Sequence, residues 1–230
     1  MKTEAIILAG GMGTRLRGVV SDRPKVLASV NHRPFITYLL DQLAEVGVES
    51  VVVSTGYKAE MVEAQIGSSY SGLRVRYSRE NETLGTGGGM KLALCRTDSD
   101  PVLVLNGDSY CAVDLRGLVD FHQFKNASVT LTLAQVADSS RFGRVETEQD
   151  GSVICFEEKG GSHSVGWINA GVYCMRREVL EAIPQGQSVS VEREIFPTLI
   201  SKNLYGFKSD GKFLDIGTPE SYAAAEDFFA

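Results

Sequence analysis

Four charged residues stand in short segments where they could act on phosphate. Arg15 and Lys25 belong to a glycine-rich stretch, LAGGMGTRLRGVVSDRPK, that follows an apolar run. Asp108 ends Asn106-Gly107-Asp108 after PVLVL, and Asp215 sits between Leu214 and Ile216 in FLDIG. Arginine offers phosphate a rigid donor fork, and lysine a mobile point charge. An aspartate on a tight turn suits a hard cation, and magnesium takes one or two protein carboxylates, the rest being waters and phosphate oxygens. A carboxylate between two apolar residues is costly to bury unpartnered, so one metal shared by Asp108 and Asp215 accounts for both. A buried cap or salt bridge accounts equally for Asp215, and a plain turn for Asn-Gly-Asp.

Bare backbone surrounds these charges. Gly10, Gly11 and Gly13 let N–H groups approach a phosphate chain without interference from a Cβ. Neither common nucleotide-loop template fits, however. A dinucleotide fingerprint on Gly11 and Gly13 needs glycine where Leu16 stands, and a P-loop from Gly13 to Gly18 needs lysine where Val19 stands. Alone, the stretch reads equally as a surface turn with solvated basic residues. A second run, Glu82-Thr83-Leu84-Gly85-Thr86-Gly87-Gly88-Gly89, opens a helical pattern and suits a flat ligand or an anion at a helix start. A flexible loop is its alternative. Phe156-Glu157-Glu158-Lys159 carries acids for sugar hydroxyls and a lysine for a phosphate, but by itself it reads as an exposed strand end.

The elements that must position these groups alternate. Glu4–Leu8 reads as a buried strand, and Phe35–Val46 has apolar residues at helical spacing, ending at Gly47. Glu49–Ser54 is a second strand, Ala59–Ile66 a short helix and Leu73–Ser78 an alternating strand. Gly89–Cys95 suits a helix and Pro101–Leu105 a fully apolar strand. Unbroken Val/Ile/Leu strands between helices predict a mostly parallel sheet covered on both faces. From about residue 112 the pattern predicts strands over 128–134, 143–147 and 153–157 with few helices between them, some antiparallel, in a smaller lobe beside the first sheet. A strand over 171–175, a helix near 178–182 and a last helix capped by Thr218, with Pro219 at its first position, follow. The expected fold is α/β and Rossmann-like, with a mixed, mostly parallel central sheet flanked by helices. Ligands collect at the carboxyl ends of such strands, where all the informative segments fall.

Composition narrows the classes. At 230 residues, 43% apolar and 23% charged, the chain is an ordinary folded protein of one domain. A net charge of −6 argues against a nucleic-acid coat or an anionic-membrane binder. The cysteines at 95, 111, 155 and 174 lack a C-x-x-C pair and border apolar stretches, which predicts buried free thiols in a reducing compartment. The apolar run Ala5–Ala9 breaks at Gly10 without a cleavage region, and no stretch approaches the roughly 20 apolar residues of a spanning helix. A soluble, cytoplasmic protein is expected.

Taken in order, LAGGMGTRL…RPK, ETLGTGGG, LNGD, FEEK, INAGVY and FLDIGTPESY resemble the sugar-1-phosphate nucleotidyltransferases. The resemblance runs from Ala5 to the final helix, and six ordered motifs are far more specific than one. Within the family, SDRPKVLASVNHRPFITYLL and ETLGTGGGMKLAL look most like the guanylyltransferases acting on D-glycero-α-D-manno-heptose 1-phosphate.

The resemblance implies one nucleotidyltransferase domain over 1–230, binding nucleotide through about 1–111 and sugar through about 112–230. By the same resemblance, Leu8, Ala9, Gly10, Gly11, Gly13 and Thr14 would hold the nucleotide with Asn106 and Gly107. Arg15 would meet the β and γ phosphates, and Lys25 the α phosphate. Thr86 would also bind the nucleotide, Glu80 and Gly85 would face the base, and Asp108 and Asp215 would bind magnesium. Gly143, Glu158, Lys159, Asn169 and Gly171 would surround the sugar phosphate. Arg15, Lys25 and Asp108 would be catalytic. Gly89 departs from the family's alanine, which would loosen the start of that helix.

The implied partners are a nucleoside triphosphate and a sugar 1-phosphate, with neither nucleic acid nor membrane; a homo-oligomer is left open. The implied reaction is in-line attack of the sugar phosphate on the α-phosphorus. A phosphate monoester is already anionic, so charge stabilisation rather than a base is required. Guanine offers two adjacent donors that one carboxylate can accept, which favours GTP if Glu80, or equally Glu82, faces the base. Uridylyl or thymidylyl transfer to a hexose 1-phosphate, mannose-1-phosphate guanylyl transfer, and a non-catalytic nucleotide-sugar-binding subunit are the rival readings. The sequence beyond PESY leaves no room for an acyltransferase or hexapeptide-repeat domain, so a bifunctional enzyme is not expected.

Overall fold

Val, Ile and Leu fill the strands of the first half, and that composition places them inside a sheet with both faces covered. The computed structural model describes residues 3–157 and 164–230. Its first half consists of β1 (Glu4–Ala9), α1 (Ile36–Glu45), β2 (Ser50–Thr55), α2 (Ala59–Ile66), β3 (Leu73–Arg79), α3 (Gly85–Leu94) and β4 (Val102–Asn106). Strand β1 lies between β2 and β4, and β3 flanks β2, all parallel; Ile6 is in register with both Val52 and Val104.

Alternate side chains point to opposite faces. Ala5, Ile7, Val51 and Val53 pack against Leu39, Leu40 and Leu43 of α1. Ile6, Val52 and Val104 pack on the other side against Met90, Ala93 and Leu94 of α3.

The second half contributes β5 (Ser109–Cys111), α4 (Leu115–Phe124), β6 (Val129–Val136), β7 (Arg144–Thr147), β8 (Val153–Glu157), β9 (Gly166–Met175), α5 (Arg177–Glu181), β10 (Leu204–Ser209), β11 (Phe213–Asp215) and α6 (Pro219–Ala223). The strands expected in a lobe beside the sheet instead continue it. Strand β9 runs antiparallel to β4, β6 antiparallel to β9, and β10 parallel to β6. Ten strands share this sheet among the described residues, β8 standing at one edge beside β7. One border of β9 holds β6, while the other meets β7 at Ile168 and β4 from Val172 onward.

Helix α4 and strand β10 are among the elements that escaped the sequence pattern. Helix α4 is capped by Asp114, whose carboxylate accepts from the N–H groups of Arg116 and Gly117 at 3.1 and 3.0 Å. Strand β10 carries Gly206 at its centre, where a Cβ would sit 2.5 Å from Leu133 Cδ1. Helix α3 begins at Gly85, inside the glycine run rather than after it. The last helix is two short pieces, Pro219–Ala223 and Ala225–Phe228. The cysteine expectation needs correcting at Cys95, which is exposed at the end of α3, and at Cys155, which is only half-buried; Cys111 and Cys174 are buried. Among the described residues, no helix is long and apolar enough to cross a membrane.

Candidate active site

A cleft of about 530 Å³ opens where the chain leaves β1 and β4. Its floor on one side is the first glycine loop, and Leu8, Ala9, Gly10, Gly11, Gly13, Thr14 and Arg15 all line it. The loop lies close on its neighbour strand's exit, since a Cβ on Gly56 would come 2.8 Å from the Gly10 carbonyl oxygen. Gly13 has φ +59, a conformation that favours glycine. Leu16 is buried and anchors the loop, which leaves Arg15 exposed at the cleft. Buried Val26 and Leu27 similarly fix the turn that carries Lys25. Lys25 Nζ lies 2.7 Å from Asp108 Oδ2.

Strand pairing brings the two aspartates together. Strands β5 and β11 are antiparallel, with Asp215 opposite Ser109, and the Ile216 N–H donates to the Asp108 carbonyl at 2.9 Å. Both carboxylates line the cleft. Asp215 Oδ1 accepts from the Gly217 N–H at 2.9 Å, and Arg141 Nη2 stands 3.6 Å from it. Burial raises the Asp215 carboxyl above its ordinary range, and the nearby Asp108 charge adds to the effect against Lys25 and Arg141.

The second glycine run forms another wall. Glu80 Oε1 accepts from Ser54 Oγ at 3.1 Å and Oε2 from the Leu84 N–H at 3.2 Å. Burial raises this carboxyl too. Gly10 and Gly89 both press on it, because a Cβ at either would lie 2.6 or 2.7 Å from Glu80 Oε1. Gly85 has φ +69 and faces the Val189 carbonyl, 2.5 Å from where its Cβ would be. Thr86 Oγ1 donates to Glu192 Oε2 at 2.7 Å, and Ser190 Oγ donates to the same oxygen at 2.9 Å. Glu192 lines the cleft from a wide helical turn over Val191–Ile195. Sequence reasoning missed it, because no motif template covers a single wide turn.

The third wall comes from β9 and its neighbours. Gly143, Asn169 and Gly171 line the cleft with Phe142, Phe156 and Phe213. Gly171 has φ +75, and the register between β6 and β9 shifts between Asn169 and Tyr173. That break turns Asn169 toward the cleft, as bulges do beside many active sites. Asn169 Nδ2 donates to the buried Tyr173 hydroxyl at 2.9 Å, and its Oδ1 accepts from the Gly171 N–H at 3.0 Å.

Asn106 reaches the cleft, but Gly107 does not. The Gly107 N–H donates to the Leu8 carbonyl at 2.8 Å, and a Cβ there would lie 2.5 Å from that oxygen. Gly107 therefore lets β1 and the Asp108 turn approach each other, rather than touching a ligand. Glu158 and Lys159 lie outside the described residues.

The model of the nucleotidyl transferase family matches residues 4–230. The chain belongs to that family. It is 42% identical over 224 residues to the D-glycero-alpha-D-manno-heptose 1-phosphate guanylyltransferase of Aneurinibacillus thermoaerophilus, covering 97% of this chain and 96% of the relative. It is 40% identical over 225 residues to the mannose-1-phosphate guanylyltransferase of Mycobacterium tuberculosis, of which it spans 63%. The crystal structure of HddC from Yersinia pseudotuberculosis superposes with a TM-score of 0.87 at 31% identity, covering 99% of this chain and all of that one. HddC complexed with GMP-PN superposes with a TM-score of 0.86.

In this nucleotidyltransferase the cleft's charge balance is informative. Four carboxylates, Glu80, Asp108, Glu192 and Asp215, line it against two cations, Arg15 and Lys25, among the described residues. Arg141 adds a third cation at the rim, 3.6 Å from Asp215 Oδ1.

Proposed function

We propose that this chain transfers a guanylyl group from GTP to a sugar 1-phosphate, D-glycero-α-D-manno-heptose 1-phosphate first, with release of pyrophosphate. The convergence of Asp108 and Asp215 with Lys25 and Arg15 in one cleft carries the reading. The A. thermoaerophilus relative, which matches this chain over nearly its whole length, favours the heptose. A GDP-heptose product made in the cytoplasm would serve a surface glycan: lipopolysaccharide, capsule or S-layer.

The residues present suit magnesium. Two aspartates and a surplus of negative charge match an ion that takes few protein ligands and completes its shell from phosphates and water. Asp108 and Asp215 would hold it, and it would supply positive charge to the phosphates and offset the burial and the Asp108 charge that raise the Asp215 carboxyl.

The chain's own groups do the rest. The glycine loop's backbone seats the triphosphate, and Arg15 holds its β and γ phosphates. Lys25 turns from Asp108 to the α-phosphate, where negative charge gathers as the bond to pyrophosphate lengthens. The sugar phosphate oxygen needs no base, because a monoester is anionic at neutral pH. Positioning two anions in line is the main task. Glu80 reads the base: each of its oxygens already holds one protein donor, and their remaining lone pairs suit guanine N1–H and the 2-amino group.

Mannose 1-phosphate is the second candidate substrate, on the strength of the M. tuberculosis relative. Incubating the protein with GTP, UTP or dTTP and heptose, mannose or glucose 1-phosphate, and reading pyrophosphate release, tests the reading. Turnover only with UTP or dTTP would reject GTP and the role of Glu80.

A further inference from the structure

Glu192 poses an electrostatic problem. The cleft must admit two phosphate-bearing anions, and each carboxylate in it opposes them unless it meets a cation or neutral donors. Asp108 and Asp215 have a cation to hold, and Glu80 has the base. Glu192 lines the same cleft, and among the described residues its side-chain donors are the Thr86 and Ser190 hydroxyls, both on Oε2, which leaves Oε1 for a ligand. We infer that Glu192 binds hydroxyl groups of the sugar and helps decide which sugar is accepted. The inference rests on the sugar 1-phosphate reading above and deepens it.

Its hydrogen bonds hold this carboxylate in place. Oε2 accepts from Thr86 Oγ1 at 2.7 Å and from Ser190 Oγ at 2.9 Å. The Val191 N–H donates to Thr86 Oγ1 at 3.0 Å, and Val191 itself is buried, so the turn carrying Glu192 is anchored on both sides. A carboxylate has about four acceptor positions, and the two hydroxyls use those of one oxygen. The rest suit O–H donors, which a sugar phosphate supplies in numbers and a nucleoside triphosphate only at its ribose. Position agrees with this chemistry. The Glu192 charge acts on the buried Tyr173 phenol, to which Asn169 of the third wall donates. Glu192 thus shares the cleft with Asn169 while it is bonded to Thr86 of the second wall.

The experiment uses the full chain and its Glu192→Gln variant, with GTP and heptose or mannose 1-phosphate as substrates. Glutamine keeps one carbonyl oxygen for the Thr86 and Ser190 hydroxyls and replaces the other oxygen by an amide that cannot accept. We expect the KM for the sugar phosphate to rise about 10- to 100-fold, the range for hydrogen bonds to a charged group. The KM for GTP should stay within about twofold and the thermal midpoint should not move, on the same argument that only sugar contacts change. Deoxy sugar 1-phosphates add a cycle: removing the contacted hydroxyl should cost the wild type and not the variant. Unchanged sugar KM in an active, folded variant would overturn the inference and leave Glu192 a brace for Thr86. A rise confined to GTP would assign it to the nucleotide instead. Wild-type protein without turnover on any sugar 1-phosphate would overturn the underlying reading and this inference with it.

Discussion

Lys25 Nζ and Asp108 Oδ2 stand 2.7 Å apart, although the proposed reaction gives them opposite tasks, one on phosphate and one on a cation. Substrate must therefore separate them. The Asp108 side chain is 40% exposed, so solvent screens the pair and it contributes about 1 kcal/mol or less to stability. Lys25→Ala should accordingly fold with a thermal midpoint within a few degrees of wild type, while kcat/KM falls about 100-fold or more. Asp108→Ala should lose turnover by orders of magnitude and still fold. Pyrophosphate release beside a thermal melt separates the two effects. Undiminished activity in Asp108→Ala would place any metal elsewhere.

Asp215 tests the opposite trade. Its carboxyl is raised first by burial and then by Asp108. A folded value above the unfolded one means that the protonated form stabilises the fold, and that this contribution is lost as pH rises through the folded value. At neutral pH the ionised carboxylate is thus a cost. Asp215→Asn keeps an oxygen for the Gly217 N–H and removes the charge. The variant should melt at or above the wild-type midpoint at pH 7 while turnover falls about 100-fold or more. A lower midpoint would show that the Arg141 contact outweighs the repulsion.

These two aspartates also show what the sequence could and could not disclose. Strong local patterns were readable: Ala59–Ile66 and Val153–Glu157 have the same bounds in the structure as in the sequence pattern. Asp108 was readable as a candidate because its turn follows an apolar strand, and Asp215 because apolar residues flank it, but their union depends on the pairing of β5 with β11, which no local pattern encodes. Helix α4, capped by Asp114, was obscured because polar His122 stands on its buried face while apolar Phe124 is exposed on the other. Strand β10 was obscured by Gly206, which reads as a turn and serves as a packing gap for Leu133. Gly107 misled in the other direction, as a motif glycine whose work is to let two strands approach.

Gly89 makes a testable junction between stability and base choice. It lies within α3, where alanine is preferred over glycine by about 1 kcal/mol. A Cβ there would fall 2.7 Å from Glu80 Oε1 and 3.3 Å from Ser54 Oγ. The Glu80 carboxylate is the end of a side chain, so it can give way, but only by stretching its bonds to Ser54 and the Leu84 N–H. Gly89→Ala should therefore leave the thermal midpoint near that of the wild type, the helix gain being offset by the stretched bonds, while the KM for GTP rises several-fold and preference for GTP over UTP narrows. An unaltered nucleotide preference would free Glu80 from the base-reading role.

His122 predicts the acid limb of stability. The ring is buried in α4, its Nδ1 is 3.0 Å from Thr130 Oγ1, and its Nε2 has no hydrogen-bond partner among the described residues. Burial, then the Arg176 charge, push its pKa down to about 4, with Asp100 acting weakly the other way. Protonation would place a charge and an unmatched donor in the core. Because the unfolded histidine titrates near 6.5, the unfolded state binds the extra proton first. The contribution of neutral His122 is whole above about pH 6.5 and drains as pH falls toward 4, amounting to about 3 kcal/mol there by linkage. Denaturant unfolding at half-unit steps across that window should show the decline. His122→Asn, which keeps a partner for Thr130, should be less stable at pH 7 and flatter below it. A variant that keeps the wild-type slope would move the acid sensitivity to other groups.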